Sequence, residues 1–124
     1  MEALGRKRYP AEFDPIASIQ WFLNSVLPNP LIYFSARTEN AFAISHLHAN
    51  PFRGGRIVVD IMFICADHGA MWEAVELGEA SIAWARDHNA KAWQISSDTD
   101  IDLGPIARRL GCTEISPRYV LELA

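Results

Sequence analysis

Residues 58–75 read VVDIMFICADHGAMWEAV. They begin as an apolar run rich in β-branched residues, cross a turn at Asp67-His68-Gly69, and become helix-like. A strand that is apolar on both sides belongs inside a sheet covered on both faces. RIVVDIMFICA, residues 56–66, is therefore expected as the central strand. In the segment 70–87, Met71, Ala74, Val75, Gly78, Ile82 and Ala85 recur at steps of three and four, which is one face of a helix. Glu73, Glu76 and Glu79 fall elsewhere on that cylinder and are expected in solvent. A strand that runs into a long helix needs a later parallel strand to complete the crossover. KAWQISS, residues 91–97, follows the helix end at His88-Asn89-Ala90 and supplies it.

Working outward, Asp14-Pro15 pairs an N-cap residue with proline at the first helical position. Ile16, Ile19, Leu23, Val26 and Leu27 follow at helical spacing, and Pro28-Asn29-Pro30 ends the helix. LIYFSA (31–36) and AFAISHLH (41–48) read as two strands around a polar turn. Asn50-Pro51-Phe52-Arg53-Gly54-Gly55 is a loop before the central strand. Beyond residue 97, an acidic turn at Asp98–Asp102 leads to a short helix, LGPIARRLG, closed by Gly111, and RYVLELA (118–124) reads as a last strand. The order is α-β-β-β-α-β-α-β, an α/β arrangement of the α+β kind: a mixed, mostly antiparallel sheet with helices on both faces.

The chain of 124 residues is expected to be one domain, 1–124, with residues 1–13 as an extended or flexible arm. Half of its residues are apolar (50%), yet no window approaches the roughly 18 uninterrupted apolar residues of a helical membrane span. No apolar stretch follows the basic cluster Arg6-Lys7-Arg8, so the start does not read as a secretory signal. A net charge of −4 weighs against nonspecific nucleic-acid binding. Cys65 and Cys112 are far apart and lack metal-ligand spacing, as unpaired thiols of a cytoplasmic protein would be.

A helix that starts where a strand stops exposes amides without internal partners, at the positive end of its dipole. Such a turn suits a phosphate or pyrophosphate. Gly69 would let the backbone approach closely and His68 would add a donor, although a turn of this kind can equally bind nothing.

Asp60 is the charge inside the central strand, and a buried carboxylate needs a partner. Strands 41–48 and 56–64 would pair with residue numbers summing to roughly 104. That register sets Ile44 opposite Asp60 and His46 opposite Val58, with His46, His48, Val58, Asp60 and Met62 on one face. Asp60 and His46 would then form an acid/base pair or a purely structural one, or Asp60 would stand exposed on an uncovered sheet face. His48 reads as a solvated residue near a loop, and His46-x-His48 lacks a third ligand for a metal.

The element order, with the segments ICADHGAMWEAVEL, IAWARDHNAKAWQISS and IARRLGCTEISPRYVLEL, resembles the GNAT acetyltransferase superfamily, and its small, trimmed, phage-type members in particular. The resemblance covers most of residues 14–124. It implies acetyl-CoA as cofactor, held at Ile64, Cys65, Ala66, His68, Gly69, Ala70, Met71, Trp72 and Ser97. It also implies direct acetyl transfer to an amine (a protein lysine, an N-terminus or a small amine), with Asp60 or His46 assisting removal of the proton. A cytoplasmic enzyme follows, in the host cytoplasm if phage-encoded, with an amine acceptor that is a protein in one version, no membrane and no nucleic acid. A homodimer would complete the trimmed half of the fold. Met71 and Glu73 stand where the family turn has later glycines, and Ala107 stands where many members carry a tyrosine acid. Tyr119 is the candidate substitute for that acid. The alternative is a non-catalytic GNAT-fold binding module; a third reading is an assembly protein.

Overall fold

Asp14 opens the first helix: its Oδ1 accepts from the amides of Ile16 (3.0 Å) and Ala17 (3.1 Å). Pro15 takes the first helical position, where a missing N–H costs nothing. The computed structural model of the chain describes residues 14–67, 69–95, 103–115, 121 and 123, the side chains of Phe63 and Cys65 excepted.

Helix α1 (Pro15–Trp21) continues into one wide π turn (Phe22–Val26), with the Leu27 amide reaching the Phe22 carbonyl at 3.0 Å. The apolar stripe expected here is corrected: of its members only Val26 is buried, while Ile16, Leu23 and Leu27 are exposed. Trp21, Phe22 and Val26 instead face the sheet, against Phe42, Ile44 and Tyr33. Aromatic rings bury more area than aliphatic side chains, so they decide which face turns inward. The extra residue of the π turn then rotates the later stripe by about 100°.

Strands β1 (Tyr33–Arg37), β2 (Ala41–Asn50), β3 (Arg56–Ala66) and β4 (Ala92–Gln94) form one sheet in the order β1-β2-β3-β4. The first two pairings are antiparallel and β3 pairs with β4 in parallel, as the crossover requires. β1 begins two residues later than expected, because the amides of Ile32 (3.2 Å) and Tyr33 (3.0 Å) both turn back to the Asn29 carbonyl. Ser97 and most of the expected closing strand, 118–124, lie outside the described residues.

The register between β2 and β3 differs from the expected one by two residues. His46 lies opposite Asp60, and His48 opposite Val58. The connection is tighter than a loop centred on residue 52 would be. Asn50 stays in β2, its side chain accepts from the Phe52 amide (3.0 Å), and its carbonyl accepts from the Gly55 amide (2.9 Å). A further shift falls between Ile44 and Ser45, where Met62 is left without a partner as a bulge on β3.

Helix α2 (Met71–Asp87) covers one sheet face through Ala74, Leu77 and its neighbours, against Ala41, Ala43 and Ile64. The α1 end covers the other face through the Val26, Phe42 and Ile44 cluster. Beneath α2, the Ser45 and Ser81 hydroxyls meet at 2.6 Å and the Trp93 indole N–H donates to Ser81 Oγ at 2.9 Å. This chain links β2, α2 and β4. Helix α3 (Gly104–Arg109) packs on α2 at Gly78, where a Cβ would come within 2.6 Å of Leu110 Cδ1. A glycine in mid-helix, ordinarily unfavourable by about 1 kcal/mol, is retained for that close approach. Among the described residues, no helix is long and apolar enough to cross a membrane.

Candidate active site

Beyond Ala66 the chain turns sharply into α2. The Asp67 amide donates to the Asn40 carbonyl (2.8 Å), and the Ala70 amide to the Asp67 carbonyl (2.9 Å). Gly69 has φ +81, a left-handed conformation that favours glycine, and the space where its Cβ would stand is open. Ala70 precedes the helix without a capping side chain. The amides of Glu73 (3.0 Å) and Ala74 (3.3 Å) return to the Ala70 carbonyl. Among the described residues, those of Met71 and Trp72 have no acceptor, which is the normal state of a first helical turn. His68 lies outside the described residues.

Glu73 is not the solvated carboxylate its helical position suggests. It accepts from the Asn40 amide (3.3 Å) and from Asn40 Nδ2 (3.0 Å), tying the first turn of α2 to the β1–β2 turn. Hydrogen bonds from Thr38 and then Asn40 hold its pKa below the ordinary 4.5, against an opposing push from desolvation. The stability it contributes is therefore present above pH 4.5 and is lost as pH falls through the lowered folded value. Thermal melts of wild type and Glu73→Gln between about pH 5 and pH 3 should show this slope in the wild type alone. Parallel curves would mean that the carboxylate holds nothing.

Trp72 is 61% exposed, and the Arg109 guanidinium lies 4.3 Å from its ring centroid. A cation from α3 thus stands beside the turn.

Past Asp60, among the described residues, β3 has no pairing with β4. The parallel ladder has three rungs, Val58–Ala92, Val59–Trp93 and Asp60–Gln94. β3 runs on to Ala66 with β2 as its only described partner. The bulge at Met62 lies just past the last rung. Ile64 is buried in the α2 core, so only its main chain is free to meet a ligand.

Asp60 sits on that last rung, on the sheet face that α1 covers. His46 is its cross-strand neighbour, but the hydrogen bond to Asp60 Oδ2 comes from His48 Nε2. The two side chains are 40% (His48) and 35% (Asp60) exposed. His46 stacks instead: its ring lies 5.7 Å from His48 at an interplanar angle of 22° and 4.9 Å from Tyr33, which meets Trp21 edge-on at 6.0 Å. A row of rings thus runs from α1 across β1 and β2 to His48, which meets Asp60. Burial, and then the neighbouring His48, hold the His46 pKa below 6.5 against the pull of Asp60. No group of three His, Cys, Asp or Glu side chains suited to a metal ion occurs among the described residues.

Known structures share this fold. A glucosamine-6-phosphate N-acetyltransferase from Arabidopsis thaliana superposes with a TM-score of 0.80 at 7% identity, over 100% of this chain and 89% of its own. A ribosomal-protein-alanine N-acetyltransferase from Brucella melitensis gives 0.74 at 14%, over 98% and 90%. An aminoglycoside 6'-N-acetyltransferase from Acinetobacter haemolyticus gives 0.73 at 16%, over 99% and 89%. This is the GNAT acetyltransferase fold. By sequence alone, no family profile and no curated protein matches the chain.

Within this GNAT fold, β3 is the strand that leads into the turn at Gly69, and β4 is its parallel neighbour. Sequence reasoning singled out Asp60 and the turn but missed three contacts around them. His48 was legible only as a residue on the same strand face as His46; its bond to Asp60 depends on the register. The Asn40–Glu73 link and the Arg109–Trp72 pair join residues 33 and 37 positions apart, and no local pattern announces either. Ala107, on α3, brings no acid to the site, and Tyr119 lies outside the described residues.

Proposed function

We propose that this protein is an acetyl-CoA-dependent N-acetyltransferase that acts on a primary amine by direct transfer. One observation carries the reading: among the described residues, pairing of β3 with β4 ends at Asp60, and the remainder of β3 leads to a helix N-terminus without a capping side chain. A ligand with a thioester at one end and a diphosphate further along suits both features. The residues fit that ligand. Space over Gly69 is open, Met71 and Trp72 offer amides, Glu73 is engaged elsewhere, and Arg109 adds a cation. The main chain of Ile64, whose side chain is buried in the α2 core, is placed to meet its middle.

Acetyl-CoA, when bound, supplies the activated acetyl group. The chain's own part begins with the acceptor, because an amine attacks only after losing a proton. The carboxylate–imidazole group at Asp60 is placed at the last described β3–β4 rung to receive it. Holding the two reactants together contributes the rest. An amine acceptor is supported by the fold's occurrence in enzymes named for a ribosomal-protein alanine, an aminoglycoside and an amino sugar phosphate. The same reading makes this a cytoplasmic enzyme.

Isothermal titration with acetyl-CoA tests this, with a Kd expected between about 1 μM and 1 mM. Absence of binding by both acetyl-CoA and CoA would sink the transferase reading. Ala107 at the acid position favours a second reading, a binding module on the same scaffold. That version predicts binding without acetylation of any amine.

A further inference from the structure

We propose that His48, rather than His46, takes the acceptor's proton, through Nδ1, and that Asp60 is the positioning residue that sets the His48 tautomer. The inference rests on the transferase reading above and assigns roles within the same site.

A carboxylate has only acceptor atoms. The bond between Asp60 Oδ2 and His48 Nε2 therefore places the hydrogen on Nε2. A neutral imidazole with Nε2–H keeps a bare lone pair on Nδ1, which is where a proton can enter. Imidazole is also the side chain that ordinarily changes charge between pH 5 and 8, whereas a carboxylate is too weak a base to hold a proton there. His46 is the cross-strand neighbour of Asp60, yet its ring is sandwiched between Tyr33 and His48. That stacking fixes the plane of His48. Among the described residues, the titratable groups against His48 are Asp60 and His46, with Tyr33 on the far side of His46. Burial and the neighbouring His48 disfavour the charged form of His46. At 40% exposure, His48 can pass its proton on to water.

The balance is as follows. The ammonium form of the acceptor gives one proton to His48 Nδ1. The amine nitrogen bonds to the acetyl carbon as the carbon–sulfur bond breaks. A second proton leaves the nitrogen and offsets the thiolate, giving the amide and the free thiol. His48 returns to neutral by losing its proton to solvent.

The experiment joins ¹⁵N NMR of the imidazoles to the pH dependence of kcat/KM. The amines are a lysine peptide, a peptide with an N-terminal alanine, and an aminoglycoside. In the wild type, His48 should show the Nε2–H tautomer, and kcat/KM should fall on the acid side as the imidazole is protonated. His48→Gln should lose about 10²-fold or more in kcat/KM, together with that acid limb, at unchanged acetyl-CoA affinity. In Asp60→Asn the amide can donate to Nε2, which moves the hydrogen to Nδ1. A base held in the wrong tautomer loses on the order of 10⁴-fold. An Nδ1–H tautomer in the wild type, or a His48→Gln enzyme with wild-type rate and limb, overturns the assignment and leaves the transferase reading intact. Failure to bind acetyl-CoA overturns the transferase reading itself, while acetyl-CoA binding without acetylation of any of the three amines overturns both.

Discussion

Gly69→Asp is expected to weaken acetyl-CoA binding roughly tenfold to a hundredfold, while Gly69→Asn stays close to wild type. The reasoning separates charge from backbone. At φ +81 most side chains are strained, but Asn and Asp are the non-glycine residues that tolerate this region best. Neither would meet a neighbour, because the space beyond Gly69 is open. The two variants therefore differ in one negative charge beside the first amides of α2. Against a phosphate at about 5 Å, that charge costs on the order of 1–3 kcal/mol at a solvent-exposed surface. Added salt should shrink the difference, because exposed charges are screened. Calorimetric titration of both variants at two ionic strengths measures it. Equal affinities for Asp and Asn would mean that the diphosphate does not sit at this turn.

Ser81→Ala should be the most damaging small change in the core, costing about 2–4 kcal/mol. Ser45 and Ser81 are fully buried, and their hydroxyls satisfy each other while Ser81 also accepts from Trp93. Removing one oxygen leaves a buried hydroxyl and an indole N–H without their partner, each worth about 1–3 kcal/mol when orphaned. Total stability of a domain this size is about 5–15 kcal/mol, so a thermal midpoint shift on the order of 10 °C is expected. The double variant Ser45→Ala/Ser81→Ala removes the orphaned hydroxyl. It should be less unstable than the two single effects added together. Strict additivity would show that the hydroxyl pair is not an energetic unit.

The central strand, the turn and the long helix were legible because each is written in local chemistry: a β-branched apolar run, a glycine, and apolar steps of three and four. The Asp14 cap was legible for the same reason, since a cap and its amides lie within three residues. The first helix was misread at its face. Its aliphatic stripe was sound as a period, but Trp21 and Phe22 had more area to bury and took the inner side. Glu73 was misread because its partner, Asn40, sits on another element.

What local order along the chain could establish was therefore the succession of the described elements, the parallel crossover, a glycine turn between β3 and α2, and Asp60 as the charge needing a partner. Which partner it has was settled only in three dimensions. A two-residue difference in register, a loop closed at Asn50 and a bulge at Met62 put His48 on the carboxylate and left His46 in the ring stack. The physical reason is range. Capping and periodicity act over three or four neighbours, whereas strand register depends on the packing of both sheet faces together, which no window of the sequence contains.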